Sequence, residues 1–226
     1  HYTYDSLKLE AAKFLIRNMP HCYSYQQGGE MDSVKRVRTY YSPFGQIDQT
    51  YARRWGHYTY RNLPKIYDAH IITAEYLIDN IDRAFDNWQK RPWNRSLSFE
   101  DFCEYLLPYR IGDEPLEEWR ELYEKKYGYL LDSIYKGSDV VEAANLVSRH
   151  LQEPVFIYCE DFELPHIGPR YLFSHRYGSC VDAADIVTYA FRAVGIPCME
   201  DTDARGGHVW NVVRDTTESD VPIWYI

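Results

Sequence analysis

The sequence has no uninterrupted apolar run of the roughly 20 residues that a membrane-spanning helix needs. It also has no N-terminal signal-peptide pattern, no internal repeat and no low-complexity segment. These absences argue against a membrane-spanning, repetitive or disordered chain. The chain starts at His1 and stops within a strand pattern at Ile226, so we expect a piece of a longer protein. A missing signal then says little about where that protein works.

Basic residues are in the minority, with 25 Lys and Arg against 34 Asp and Glu and a net charge of −9. An acidic chain has no overall electrostatic reason to bind nucleic acid or anionic lipid. Residues 33–65 reverse this balance, with one acid, Asp48, against Lys35, Arg36, Arg38, Arg53, Arg54, Arg61 and Lys65. This segment is either a solvated loop paired with acidic helices of the same chain or a docking surface for an anionic ligand.

Cysteine is also scarce, with five residues and no C-x-x-C spacing. The odd number leaves at least one thiol free, and the chain is too large and cysteine-poor for a disulfide scaffold. Cys103 and Cys159 lie among apolar residues and are predicted to be inert and buried. A zinc site could draw on Cys180, Cys198, His166, His175 or His208. Their spacings match no zinc pattern, so neither a metal nor another cofactor is predicted.

The first two thirds of the chain predict a mainly helical region, 1–152, because apolar residues recur at helical spacing between capping residues. The predicted helices run from Asp5 to about Asn18, over 71–88, from Ser98 to Leu107, from Asp113 with Pro115 in its first turn, and from Ser138 to about Leu151. The Gly- and Tyr-rich stretch after Pro20 has no clear period.

After Pro154 the pattern changes to short alternating segments around one helix, which defines a second region, 153–226. Strands are predicted at 155–158, 196–200, 208–214 and 221–226, and a loop at 161–177. The helix over 180–194 has a regular apolar stripe and ends at Gly195. The predicted fold class is therefore α+β, with a helical region followed by a helix packed on an antiparallel sheet.

Cys180 lies where the predicted loop becomes that helix. Ser179 is a candidate N-cap, which puts the thiol in the first turn beside unpaired backbone N–H groups and the positive end of the helix dipole. Both favour the nucleophilic thiolate. Gly178 lets the chain turn tightly and leaves space for a substrate. The alternative is a core cysteine on an apolar helix face.

His208 is the candidate base, because it follows two glycines at the start of a predicted strand. Alternation puts His208, Trp210 and Val212 on one face of that strand. If this face meets the N-terminus of the Cys180 helix, the imidazole reaches the sulfur and the pair can act as nucleophile and base. The alternative is an ordinary structural histidine.

Three sequence blocks, in order, resemble the core of the transglutaminase-like superfamily, whose pattern is a G-x-C-x-D-x-A helix, an R-x-x-G-I-P exit and an H-x-W strand. The blocks here are Gly178-Ser179-Cys180-Val181-Asp182-Ala183-Ala184, Phe191-Arg192-Ala193-Val194-Gly195-Ile196-Pro197 and Gly207-His208-Val209-Trp210-Asn211-Val212. The resemblance implies a papain-like fold and a Cys-His-Asp triad with Cys180 as nucleophile and His208 as base. Asp182, Arg192 and Trp210 match positions that we interpret as supporting structure.

The third member of that triad is an Asp that should follow an aromatic residue such as Trp224, just after Ile226 where the chain stops. Asp215 and Asp220 lie in the predicted turn between the last strands and match poorly. The core is therefore expected to be incomplete in this chain.

The helical region has a looser similarity to the segment that precedes such domains in proteins of Bacteroidetes-type bacteria. It rests on Asp5-Ser6-Leu7-Lys8, on 11–20 and on 99–110. This similarity implies an exported protein of the bacterial envelope, in the periplasm or at the cell surface.

The predicted function is acyl transfer at an amide of a peptide, protein or peptidoglycan-like substrate. Hydrolysis is the first hypothesis and crosslinking the second. The alternative from another class is a catalytically inactive binding module for a peptide or glycan, with a groove lined by Tyr40, Tyr41, Tyr51, Tyr58 and Tyr60.

Overall fold

The computed structural model describes residues 4–41, 46–159, 162–215 and 223–225. Within these ranges the α-helices are Tyr4–Asn18 (α1), Glu30–Arg38 (α2), Gln49–Trp55 (α3), Ala74–Lys90 (α4), Phe99–Tyr105 (α5), Arg120–Tyr129 (α6), Val140–Leu151 (α7), Pro169–Ser174 (α8) and Cys180–Val194 (α9). The strands are Tyr23–Tyr25 (β1), Lys65–Tyr67 (β2), Ile157–Tyr158 (β3), Tyr177–Gly178 (β4), Cys198–Thr202 (β5), Val209–Asp215 (β6) and Ile223–Tyr225 (β7). The predicted α+β class is confirmed. No helix in the described ranges is long and apolar enough to cross a membrane.

The helix α9 lies at the centre of the largest apolar cluster. Ala190 and Val194 are fully buried, and Tyr189 packs its ring against Trp119, with the ring centroids 5.0 Å apart. The helix ends where predicted, because Gly195 adopts the left-handed conformation with φ 83° and its N–H donates to the carbonyl of Phe191. A side chain there would also collide with the backbone of Asn87. The C-terminal end of α9 is thus fixed against α4.

The three-stranded sheet follows the order β5–β6–β7, and both pairings are antiparallel. Glu200 lies opposite Asn211 and Arg214 lies opposite Trp224 in the register. A helix packed on an antiparallel sheet was predicted, and α9 does pack on β5 and β6. Two smaller sheets pair β1 with β2 antiparallel and β3 with β4 parallel.

The same apolar cluster joins α9 to α6 and α7, which belong to the helical region. Tyr123 of α6 and Val147 of α7 are fully buried in it. A second cluster lies between α1, α4 and α5, around Phe85 and Phe102. The boundary between 152 and 153 stays a prediction, but an apolar core extends across it.

One predicted helix is wrong. Residues 111–119 are not helical, and α6 begins only at Arg120. The Glu114 carboxylate accepts hydrogen bonds from the backbone N–H groups of Ile111 and Gly112, both at 2.7 Å, and closes a turn instead. Asp113, the expected N-cap, accepts a hydrogen bond from the backbone N–H of His166 at 3.0 Å. Asp113 therefore binds the loop that contains His166 and does not cap a helix.

Three helices lie where none was predicted. The aperiodic stretch after Pro20 contains α2 and α3, and the predicted loop over 161–177 contains α8. In α2 the buried residues include Lys35 and Arg38 beside Val34 and Val37. Charged residues at buried positions interrupt the helical spacing of apolar residues, so this spacing did not predict α2.

Candidate functional site

Cys180 is the first residue of α9, as predicted, with Ser179 at the N-cap position. The Asp182 carboxylate reaches back to this position and accepts hydrogen bonds through Oδ2 from the Ser179 N–H at 2.8 Å and from the Ser179 hydroxyl at 3.2 Å. A carboxylate in the first turn also matches the positive end of the helix dipole. Ser179 and Asp182 therefore fix the turn that carries the thiol.

Gly178 has a different role from the predicted one. A Cβ at this position would overlap the Asp182 side chain, so the space left by glycine is filled by the carboxylate that holds the cap. The glycine therefore serves the helix start and does not open a path for substrate.

Arg38 of α2 holds the same carboxylate from the other side. Its Nη1 lies 2.8 Å from Asp182 Oδ2, its Nη2 donates to the Phe162 carbonyl at 3.0 Å, and both charged side chains are 4% exposed. Such a buried pair is strongly destabilised when one partner is removed. The start of α9 is thus tied to the helical region by an ion pair between residues 144 positions apart.

Cys180 itself is a half-buried free thiol. Among the described residues, no hydrogen bond involves its sulfur. Cys180 belongs to the first turn of α9, whose backbone N–H groups have no partner within the helix. The N-terminus of a helix can stabilise an oxygen that develops negative charge during a reaction.

The beginning of β6 lies alongside the first turns of α9. The Asn211 side-chain amide donates to the Ala184 carbonyl at 3.0 Å and to the Thr188 hydroxyl at 2.8 Å. Ala184 is one helical turn after Cys180 and on the same face of α9. The strand that His208 precedes therefore runs past the side of α9 that carries the thiol.

The face of β6 that carries Trp210 and Val212 was expected to meet α9. Asn211 contacts α9, and Val213 belongs to the apolar cluster around it, whereas Arg214 of the alternate face reaches Asp101 of α5 at 3.2 Å. The face with Trp210 and Val212 therefore points away from α9 within the strand. The two hydrogen bonds of the Asn211 amide hold the face that carries Asn211 against α9.

His208 lies just before β6 and is exposed, with its ring centroid 5.9 Å from that of Trp210. Its carbonyl accepts a hydrogen bond from the Asp203 N–H at 3.1 Å, which closes the turn leading into the strand. None of the hydrogen bonds between described residues joins its imidazole to Cys180. Because His208 precedes β6, the alternation within the strand does not fix the direction of its imidazole. The assignment of the two residues as a catalytic pair stays a prediction.

Arg192 and Trp210, which were interpreted as supporting structure, have different surroundings. Arg192 is buried and donates to the carbonyls of Arg110 at 3.2 Å and Cys198 at 3.4 Å. Trp210 is half-buried, and its Nε1 has no hydrogen-bond partner among the described residues. The predicted acid after Ile226 lies outside the described residues, as does Asp220.

A cleft of about 480 Å³ lies beside the start of α9. Its walls come from β1, from the loops before α6 and α8, and from the first turn of α9. The lining residues are His21, Tyr23, Tyr60, Gly112, Asp113, Leu164, Pro165, His166, Ser179, Val181 and Asp182. Ser179 and Val181, the chain neighbours of Cys180, line this cleft, and Cys180 itself does not.

His166 is a cleft residue whose significance the sequence did not reveal. Its Nδ1 lies 2.9 Å from both carboxylate oxygens of Asp185, which is fully buried on α9. Burial of the imidazole alone would lower its pKa, but the Asp185 charge and hydrogen bond outweigh burial and raise the pKa of His166 to about 10. The imidazole is therefore protonated at neutral pH.

Sequence spacing does not predict this pair, because His166 lies in a predicted loop and Asp185 in an apolar helix. The one signal in the sequence is Asp185 itself, a charged residue on an apolar helix. Asp185 follows Asp182 by three positions on a helix otherwise dominated by apolar residues. A buried carboxylate in such a place needs a charged partner.

Cys103 and Cys159 are buried, as predicted. Cys198 is buried as well, and burial raises the pKa of Cys103 and of Cys198 to about 12. Across the described ranges, no group of three or more His, Cys, Asp or Glu residues is arranged to hold a metal ion. The five residues considered for zinc therefore do not converge.

The basic segment pairs in part with acids of the same chain, through Arg38 with Asp182 and Arg61 with Glu163. Of its tyrosines, Tyr60 lines the cleft, whereas Tyr41 and Tyr58 pack in an apolar cluster with Cys159 and Phe162. The expected single groove of five tyrosines is therefore not formed.

We compared the chain with protein-family models, with curated proteins and with solved structures, and none of the three comparisons gave a match.

Proposed function

We propose that this chain carries the core of a transglutaminase-like cysteine enzyme that transfers an acyl group from an amide, with Cys180 as nucleophile and His208 as base. The observation that carries the proposal is the position of Cys180, the first residue of a capped helix whose neighbouring residues Ser179 and Val181 line a cleft. A helix start lowers the cost of the thiolate and offers N–H donors to a developing oxyanion. The three sequence blocks add the family hypothesis and, with it, a papain-like core.

In this mechanism His208 accepts the thiol proton, and the thiolate attacks the amide carbon. A carbon–sulfur bond forms while the carbonyl π electrons move onto oxygen. His208 then passes the proton to the nitrogen, the carbon–nitrogen bond breaks and an amine leaves. Water attacks the thioester with His208 as base, which releases a carboxylic acid and restores the thiol. An amine in place of water would give a crosslink.

Iodoacetamide labelling at neutral pH tests the nucleophile, with each modified cysteine located by mass spectrometry. Cys180 should react faster than a free thiol such as N-acetylcysteine, because its thiolate is stabilised. Cys22 is the matched control within the chain, since it is also half-buried and in no disulfide, but burial raises its pKa. A His208→Ala variant should slow Cys180 and leave Cys22 unchanged. If Cys180 reacts no faster than the free thiol, the activated-nucleophile proposal fails.

The proposed substrate is a peptide, a protein or a peptidoglycan-like amide of the bacterial envelope, and the setting is extracytoplasmic. This part of the proposal rests on the family resemblance. Incubation with purified peptidoglycan and mass spectrometry of the released fragments should give new amine and carboxyl ends with the native protein and none with Cys180→Ala.

A binding module without catalysis is the second candidate, and the cleft favours it through the Tyr23 and Tyr60 side chains that line it. Aromatic side chains of this kind bind peptides and sugars. This hypothesis expects the Cys180→Ala variant to retain all function in the organism, whereas loss of function would contradict it.

A further inference from the structure

Another cleft, of about 660 Å³, lies between α2 and α8, and we call it the α2–α8 cleft. One face of α2 forms a wall of it, because Asp32, Lys35, Arg36 and Thr39 line the cleft and recur at helical spacing. The opposite wall includes Tyr171 of α8, whose hydroxyl donates to the Lys35 carbonyl at 2.7 Å. This hydrogen bond holds the two walls together.

The Lys35 ammonium group belongs to the interior of this cleft. Lys35 is only 8% exposed, which is unusual for a lysine. Its Nζ donates to Gln27 Oε1 at 2.6 Å and lies 5.9 Å from the centroid of the Tyr171 ring. Gln27 and Tyr171 both line the cleft. The ammonium therefore lies between two side chains of the cleft wall.

This ammonium has more hydrogen-bond donors than the protein uses. It has three N–H groups, and Gln27 takes one of them. Among the described residues, no carboxylate forms an ion pair with Lys35. Burial lowers the pKa of Lys35, although the charges of Asp32 and Glu117 oppose this effect. A buried cation of this kind gains stability from an anion that enters the cleft.

The charges that line the cleft favour an anion with a single charge. Apart from His175, the charged lining residues are three cations and two acids, namely Lys35, Arg36, Arg170, Asp32 and Glu117. They leave one positive charge, although the whole chain has a net charge of −9. A carboxylate would neutralise this charge, whereas a phosphate group carries nearly two negative charges and would leave an excess.

We propose that the α2–α8 cleft binds a small organic carboxylate, with the Lys35 ammonium as the donor to its oxygen atoms. Arg36 and Arg170 are exposed lining residues that attract the anion to the cleft. Lys35 and Arg36 belong to the basic segment 33–65, so this binding site gives that segment a specific role. The proposal goes beyond acyl transfer and does not depend on Cys180.

The uncharged walls favour a ligand with a flat apolar body. Pro115, Ile167 and Tyr171 line the cleft beside the charged residues. The Tyr171 ring stacks on the His175 ring, with the centroids 4.3 Å apart and the planes at 18°. A stacked pair of rings presents a flat surface on which another ring can pack. Benzoate, which joins a carboxylate to such a body, is therefore the probe for this site.

The alternative is that Lys35 is a structural lysine, satisfied by Gln27, and that the cleft binds no anion. Titration of the native protein with benzoate, benzamide and phenyl phosphate separates these possibilities. Benzamide keeps the shape of benzoate without its charge, and phenyl phosphate has the larger charge. The NMR signal of the Lys35 ε-carbon reports binding, and Lys35→Met identifies this signal because the variant lacks it.

Benzoate should shift the Lys35 signal in a saturable way and should bind more tightly than benzamide or phenyl phosphate. Saturation with benzoate should raise the pKa of Lys35, because a nearby carboxylate favours the charged amine. Lys35→Met should weaken benzoate binding about 10-fold or more, the effect of losing a hydrogen bond between charged groups. The backbone amide signals of α2 measure the affinity of this variant.

Lys126 is the matched control. Burial lowers its pKa too, and its ammonium lies 4.7 Å from the centroid of the Phe173 ring, but it does not line this cleft. Its ε-carbon signal should not move with benzoate, and Lys126→Met should bind benzoate like the native protein. Thermal unfolding checks that each methionine variant is folded.

Three results would overturn the inference: a Lys35 signal that does not move at tens of millimolar benzoate, equal affinity for benzamide, and unchanged benzoate affinity in Lys35→Met. Tighter binding of phenyl phosphate would overturn the assignment to a carboxylate. If Lys35→Met does not fold, the comparison of benzoate with benzamide on the native protein still decides. None of these measurements involves Cys180, so they stand or fall apart from the proposed acyl transfer.

Discussion

At the scale of single residues, the His166 ring packs closely against Gly112 in the cleft. The imidazole occupies the place that a Cβ at position 112 would take. Gly112→Ala should therefore push the ring off Asp185 or move the backbone, at a cost of about 1–3 kcal/mol typical of overpacking. The free energy of unfolding in urea measures this loss, and the His166 imidazole NMR signals report the moved ring.

Gly207→Ala is the matched control for this substitution. Position 207 has no left-handed backbone, and a Cβ there would meet only Asp203 at 3.7 Å, an ordinary contact distance. We expect a change within about 0.5 kcal/mol for this exposed site. Equal stabilities for the two alanine variants would contradict the close packing of His166 on Gly112.

Local chemistry decided which site residues could be predicted. Ser179, Cys180 and Asp182 lie within four positions, so the rules of helix capping place them together. His166 and Asp185 are 19 positions apart and meet only because the loop before α8 folds back on α9. A pair of this kind needs the tertiary fold before it can be recognised.

At the scale of elements, the start of α9 depends on α2. Asp182 accepts hydrogen bonds from its own N-cap and from Arg38, and both charged side chains are almost fully buried. Each of Arg38→Met and Asp182→Asn should destabilise the fold by about 3–5 kcal/mol, because each leaves a buried group without its partner. Urea unfolding of both single variants and the double variant gives the coupling energy.

The double variant should lose less than the total of the two single losses, by a coupling energy of about 0.5–3 kcal/mol. Hydrogen exchange should be faster at the amides of 179–183 in Arg38→Met than in the native protein. Asp86→Asn is the control, since this exposed residue of α4 should change stability by less than about 0.5 kcal/mol. Additive losses for Arg38 and Asp182 would contradict the contact.

Helices with apolar faces and local caps could be predicted, and helices held by distant charges could not. Ser98 and Ser179 begin α5 and α9 as predicted, and Gly195 ends α9. In α2 the buried Arg38 has its partner 144 residues away, so no window of the sequence contains the reason for its burial. The strands β5 and β6 were predicted from the alternation of apolar and polar residues. The face of β6 that meets α9 was not, because it is held there by the hydrogen bonds of the Asn211 amide.

At the scale of the whole molecule, the main apolar core draws on both sides of the predicted boundary. Tyr123 of α6 is fully buried, 5.7 Å from the Tyr189 ring of α9 by centroid, and its hydroxyl donates to the Pro169 carbonyl at 2.8 Å. Because the side chains of such a cluster pack closely together, removal of one side chain destabilises every element that contacts it. The helical region and the α9 core should therefore unfold together.

Tyr123→Ala tests this cooperativity. The substitution should cost about 3–5 kcal/mol, as for other large buried aromatic residues, and should lower hydrogen-exchange protection in α6 and in β6 by the same free energy. Tyr129→Ala is the control on the same helix, because Tyr129 is 50% exposed and should leave both elements unchanged. If Tyr123→Ala does not fold, Tyr123→Phe removes only the hydroxyl and should cost about 1 kcal/mol in both elements. Protection that falls in α6 and stays constant in β6 would show two independently folding regions and restore the boundary at 152 as a domain boundary.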